Sequence, residues 1–124
     1  MPLAHRIPFA VVLLASVSAF AQEGRQQVPI DKAAQYEGRE VTVCGPVDTA
    51  RRAPNVQGEP TLLHMGGAFP HHKFSARVWG QDRDKFEHDL ESLVGRTACV
   101  SGRVTLVGKR PEVVLSSPED LAVF

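Results

Sequence analysis

Gly38-Arg39-Glu40-Val41-Thr42-Val43-Cys44-Gly45-Pro46-Val47 has a near copy later in the chain, Gly95-Arg96-Thr97-Ala98-Cys99-Val100-Ser101-Gly102-Arg103-Val104. Each copy opens on a turn glycine, alternates at a period of two, and carries a second glycine where a strand can bend. In the first copy Val41, Val43 and Val47 share one face, and Thr42, Cys44 and Pro46 the other. In the second, Ala98, Val100 and Val104 face one way. The unit is far too short for a solenoid repeat and fits two equivalent strands of one curled sheet.

Working outward, Thr61 to Met65 reads as a second strand, broken by Gly66-Gly67, and Phe74 to Trp79 as a third. The third strand puts Phe74, Ala76 and Val78 on one face, with Ser75, Arg77 and Trp79 on the other. From Asp82 to Val94 the period changes: Phe86, Leu90, Leu93 and Val94 fall at helical spacing among charged residues, and Gly95 closes the segment. The fourth strand runs from Thr97 to Leu106, Gly108-Lys109-Arg110-Pro111 is a turn, and Glu112 to Leu115 is the fifth strand. Ahead of the first strand, Glu40 to Val47, Asp31 can cap a short helix that ends before Gly38. Between the first and second strands, Asp48 to Pro60 has the composition of an exposed loop, and Ser117 to Asp120 starts a terminal turn.

The amino terminus has a different character. Arg6 precedes an apolar stretch from Ile7 to Phe20, which ends in Ala19-Phe20-Ala21 and then polar residues, the pattern of a secretory signal peptide covering residues 1–21. A membrane anchor would need roughly 20 unbroken apolar residues, and Pro8 interrupts this shorter run. Residues 22–27 read as a disordered linker and 28–124 as one domain, in a periplasmic or secreted protein without a membrane span after cleavage. Composition agrees with a single small domain: 124 residues, 43% hydrophobic, with 14 basic side chains balancing 14 acidic ones. That balance excludes a strongly basic, histone-like DNA binder.

The order strand, strand, strand, helix, strand, strand, with glycine bends in the first and fourth strands, predicts an all-β fold with one helix, a five-stranded Greek-key OB-fold barrel. The residues also resemble a bacterial family of exported OB-fold proteins of the nucleic-acid-binding, tRNA-anticodon-binding-like type. Val41-Thr42-Val43-Cys44-Gly45-Pro46-Val47, Gly58-Glu59-Pro60-Thr61-Leu62-Leu63 and Phe74-Ser75-Ala76-Arg77-Val78-Trp79-Gly80 carry that resemblance, with Val100-Ser101-Gly102-Arg103-Val104 and Pro111-Glu112-Val113-Val114-Leu115-Ser116-Ser117-Pro118. It spans roughly Val28 to Phe124 and implies an OB fold of that type.

An exported chain can hold a disulfide, and Cys44 and Cys99 are its only cysteines. In an OB barrel the first and fourth strands are antiparallel neighbours, and alternation puts both thiols on the side away from the valines, so the two are expected to pair.

The candidate nucleic-acid or polyanion site follows from where such barrels bind: Arg51 and Arg52 in the first loop, Lys73 and Arg77 at the third strand, and Arg103, Lys109 and Arg110 around the last hairpin. Trp79 could stack on a base or pack against the following helix. His64, His71 and His72 could hold a metal or gain charge near pH 6, with His64 and His72 placed in the anion site; without a HExxH pattern or a nearby carboxylate, no metal is expected. The absence of a nucleophile elbow or phosphate loop gives no catalytic residues, and no cofactor is expected. The expected partner is single-stranded nucleic acid or another polyanion, with a protein of the cell envelope as the alternative.

Overall fold

The computed structural model describes residues 25–124. The expected signal peptide of residues 1–21 and the first part of the expected linker lie outside them. No helix among the described residues is long and apolar enough to cross a membrane.

The chain is mostly β. Its strands are β1 (Gln26–Val28), β2 (Glu40–Arg52), β3 (Thr61–Met65), β4 (Phe74–Val78), β5 (Thr97–Arg103), β6 (Thr105–Val107), β7 (Arg110–Val114) and β8 (Leu121–Val123). Hydrogen bonds link them in the order β6-β7-β4-β3-β2-β5-β8, with β1 parallel to β2 outside that path. The expected five-stranded barrel is therefore corrected to eight strands in a sheet whose path ends at β6 and β8.

Two local causes account for the difference. The strand expected from Thr97 to Leu106 is interrupted at Val104, whose N–H donates to Arg39 O at 3.0 Å and whose carbonyl accepts from Gly38 N at 2.8 Å. With both backbone groups turned toward the chain ahead of β2, Val104 cannot continue the ladder, so β5 and β6 are separate strands. The short strands β1 and β8 then form against the ladders of β2 and β5 without an alternating pattern of their own. Gln26 and Gln27, expected in a disordered linker, pair in parallel with Val41 and Thr42.

β2 is also longer than the sequence suggested. Beyond Val47 the register shifts by a bulge at Asp48, and the strand continues through Arg52, paired antiparallel with β3. Arg51 and Arg52 thus lie on a strand, opposite Leu62 and Thr61, rather than in a loop.

The expected helix from Asp82 to Val94 is replaced by two 3-10 turns, Gly80–Lys85 and Leu90–Leu93. Phe86 is extended, and Asp89 starts the second turn by accepting the backbone N–H of Glu91 at 3.3 Å. Leu90 and Leu93 still reach the core, because residues three apart share a face at three residues per turn; Phe86, on the extended link between the turns, is buried as well, while Val94 stays 49% exposed. The first short helix, Ile30–Tyr36, is likewise 3-10 and starts after Pro29, so Asp31 lies in its first turn and does not cap it.

Alternation otherwise holds. Val41, Val43, Val47, Leu63, Met65, Phe74, Ala76, Val78, Ala98, Val100 and Val113 are all buried on the inner face. On the outer face Cys44 and Cys99 are directly opposed and joined in a disulfide, with a Cα separation of 4.0 Å, just under the 4.4 Å lower edge of the usual range.

Candidate functional site

Two rows of side chains cross the outer face of β2, β3, β4 and β7. In one row Thr49, His64, Ser75 and Glu112 are successive cross-strand neighbours; in the next, Arg51, Leu62, Arg77 and Val114 follow the same order. The segment between β3 and β4 folds over these rows. Its two glycines, Gly66 and Gly67, take positive φ, and the bulge in β2 aims Asp48 and Thr49 at it. Asp48 Oδ2 accepts Gly67 N–H at 2.8 Å and Thr49 Oγ1 accepts Phe69 N–H at 3.0 Å. The result is a cleft of about 290 Å³ with Leu62, His64, Ser75, Arg77 and Glu112 on its floor. Phe69 and His72 form one wall, and Val107, Gly108, Arg110 and Pro111 of the β6–β7 hairpin the other.

Two guanidinium groups flank the paired rings of Phe69 and His72. The Arg51 guanidinium lies 4.2 Å from the centre of the Phe69 ring, which stacks on His72 at 5.8 Å. His72 in turn packs against His64 at 4.2 Å, and Arg110 Nη1 sits 3.0 Å from His72 Nε2 and 3.1 Å from Nδ1. On the floor, Arg77 donates from Nε and Nη2 to the two carboxylate oxygens of Glu112, at 2.7 and 3.2 Å.

The sequence-selected residues divide. Arg51, His64, His72, Arg77 and Arg110 meet at this cleft. Lys73 and Lys109 lie beside it, lining a neighbouring depression with His72 and Arg110. Trp79 packs its six-membered ring over Gly58, and Arg77 covers it at 5.0 Å, at one end of β4. Arg52 pairs with Glu59 at 3.5 Å. Arg103 donates to the Gly38 carbonyl and approaches Glu40 at 3.8 Å, on a different part of the surface. The seven basic residues therefore do not converge on one face.

The histidines also differ from expectation. His64 is buried, and desolvation, followed by His72, Arg51 and Arg110, pushes its pKa down to about 4. His72 is lowered too, by burial and by Arg110, against the raising pull of Glu112. The gain of charge near pH 6 that the sequence suggested is therefore corrected for His64, and His72 is shifted in the same direction. His71 is exposed and outside the cleft, and among the described residues no three His, Cys, Asp or Glu side chains come together to hold a metal.

The sequence reading passed over Phe69, Glu112, Thr49 and Ser75. Ser75 and Glu112 carried a signal, since each sits out of phase with buried neighbours, Phe74 and Ala76 or Val113. Phe69 stood out only as an aromatic within a turn. A larger depression, about 440 Å³, lies on the outer face of β2 and β5, but Glu119 and Asp120 line it and its Arg25 bridges Glu40 and Asp120 at 3.5 and 3.6 Å. Its charge suits a polyanion poorly.

No protein-family model matches the chain, and no curated protein matches it. Among solved structures, it is similar to a chain of yeast Stn1 and Ten1 (TM-score 0.56, 11% identity), covering 81% of this chain and 63% of that one. The shared fold is of the OB type. Asparaginyl-tRNA synthetase from Pyrococcus horikoshii also aligns (TM-score 0.52, 18% identity, 78% of this chain and 22% of that). So does aspartyl-tRNA synthetase from Entamoeba histolytica (0.54, 16%, 95% and 28%). The chain spans less than two thirds of each of these OB-containing chains.

Proposed function

We propose that this protein is an exported, non-catalytic OB-fold binding module whose cleft over β3, β4 and β7 takes single-stranded nucleic acid or a polyanion of similar shape. The observation that carries the reading is the meeting of Arg51, Phe69, His72 and Arg110 above the floor of His64 and Arg77. Guanidinium groups attract a phosphate backbone, and an accessible ring, 44% exposed at Phe69, offers an edge for a base. The likeness to tRNA synthetase structures points the same way.

Fluorescence anisotropy with a labelled single-stranded oligonucleotide at low salt tests it. Arg51→Ala and Arg110→Ala are expected to weaken binding, whereas Arg52→Ala and Arg103→Ala leave it unchanged. Two or three phosphates neutralised give a log affinity against log salt slope of about −1.5 to −2. No binding at tens of micromolar protein, or binding indifferent to salt, overturns the reading.

Val107 and Val114, 48% and 38% exposed near the cleft, favour a second reading, an envelope protein partner on the same face. A captured partner that resists nuclease and is lost from a Val107→Asp variant supports that alternative.

A further inference from the structure

Two buried polar side chains on the cleft floor have hydrogen-bonding atoms without a partner among the described residues. They are Nε2 of His64, a residue 1% exposed, and the hydroxyl of Ser75, 5% exposed. They are cross-strand neighbours, and both line the cleft. Folded proteins seldom leave such groups unpaired, so two side by side in one cleft mark the place of a bound group.

Thr49 decides where the neutral His64 ring carries its proton. Its Oγ1 accepts Phe69 N–H at 3.0 Å and lies 2.9 Å from His64 Nδ1. A hydroxyl has one proton to give. Donated to Nδ1, that proton completes a chain in which each member is satisfied. A proton on Nδ1 would instead leave the hydroxyl proton without an acceptor among the described residues. This chain favours the tautomer with the proton on Nε2, which presents an N–H donor to the cleft. Ser75 adds an O–H, and Arg110 stands on the wall. The one carboxylate present, Glu112, already has both oxygens engaged by Arg77. Its charge is balanced in that pair, and no hydrogen bond joins it to His64 or Ser75 among the described residues.

We propose that the floor of the cleft is an oxyanion pocket, in which His64 Nε2–H and Ser75 O–H hold the non-bridging oxygens of a single phosphate group and Arg110 supplies the compensating charge. The inference rests on the strand-binding reading above and deepens it: the chain crossing the cleft seats one phosphodiester on the floor, which reads the backbone and not a base. Free inorganic phosphate has the same chemistry, so both are used as probes.

Long-range proton–nitrogen correlation spectra of the protein at neutral pH report the tautomer of His64, which is expected with its proton on Nε2. Inorganic phosphate and a thymidine dinucleotide are then titrated at constant ionic strength, and both are expected to shift the His64 Nε2 and Ser75 resonances. Ser75→Ala and His64→Leu are expected to weaken phosphate binding about tenfold, and His64→Gln, which keeps an N–H donor, less than His64→Leu. A proton on Nδ1, or a His64 resonance unmoved by both probes, overturns the pocket even if oligonucleotides bind. Shifts with either probe alongside oligonucleotides that fail to bind uphold the pocket and overturn the strand reading instead.

Discussion

His64 shows how one residue couples the site to stability. In the unfolded chain its imidazole accepts a proton near pH 6.5, whereas in the fold burial and the facing charges of His72, Arg51 and Arg110 delay this to about 4. Below pH 6.5 the unfolded state thus binds more protons than the native one, so a contribution fully present above that pH is lost progressively as pH falls toward 4. At about 1.4 kcal/mol per pH unit the whole window is worth roughly 3 kcal/mol. Urea midpoints measured across it should fall for the wild-type protein and fall less steeply for His64→Gln. Parallel slopes would move the effect to another group.

Among the strands, β5 passes close to β7 at Gly102. A Cβ built on Gly102 would lie 3.2 Å from both Val113 Cβ and the Val114 carbonyl, so the missing side chain is what lets the two strands pass. Gly102→Ala should cost about 1 to 3 kcal/mol through that overpacking, read as a lower denaturant midpoint with unchanged slope. The glycine was visible in the sequence as a bend, and so were the inner rows of Val41 to Val47, Phe74 to Val78 and Ala98 to Val104, because period-two alternation is a local property. What sequence could not carry was set by distant partners. Val104 leaves the ladder for Gly38 and Arg39, and β1 and β8 exist only because β2 and β5 offer free backbone groups. The helical period marked Phe86, Leu90 and Leu93 as buried, but it also put Val94, which is 49% exposed, on that face and missed the type of turn. In the site, Arg51, His64, Arg77 and Arg110 could be picked out by type and position. Phe69, which joins them, could not, since its place depends on Thr49 holding the loop at a bulge. Arg52 and Arg103 were drawn away by Glu59 and Glu40.

At the scale of the whole molecule, the disulfide fastens β2 to β5 across 55 residues of chain. Restricting an unfolded loop of that length is worth about 4 kcal/mol in the chain-entropy model, a large share of the stability of a domain this size. Guanidinium unfolding of Cys44→Ser/Cys99→Ser against the oxidised protein should show a loss of that order, and a loss below about 1 kcal/mol would mean that strain or residual structure cancels it. The pairing of β2 with β5 also has a consequence for speed. Those strands must meet across the segment that contains β3, β4 and both 3-10 turns, and such non-local pairings are the slow events in β folds. With Cys44 already tied to Cys99, that search is over before refolding begins. The oxidised chain should regain its structure faster than the reduced one in stopped-flow dilution, so that the covalent bond acts as a nucleus the reduced chain has to find by diffusion.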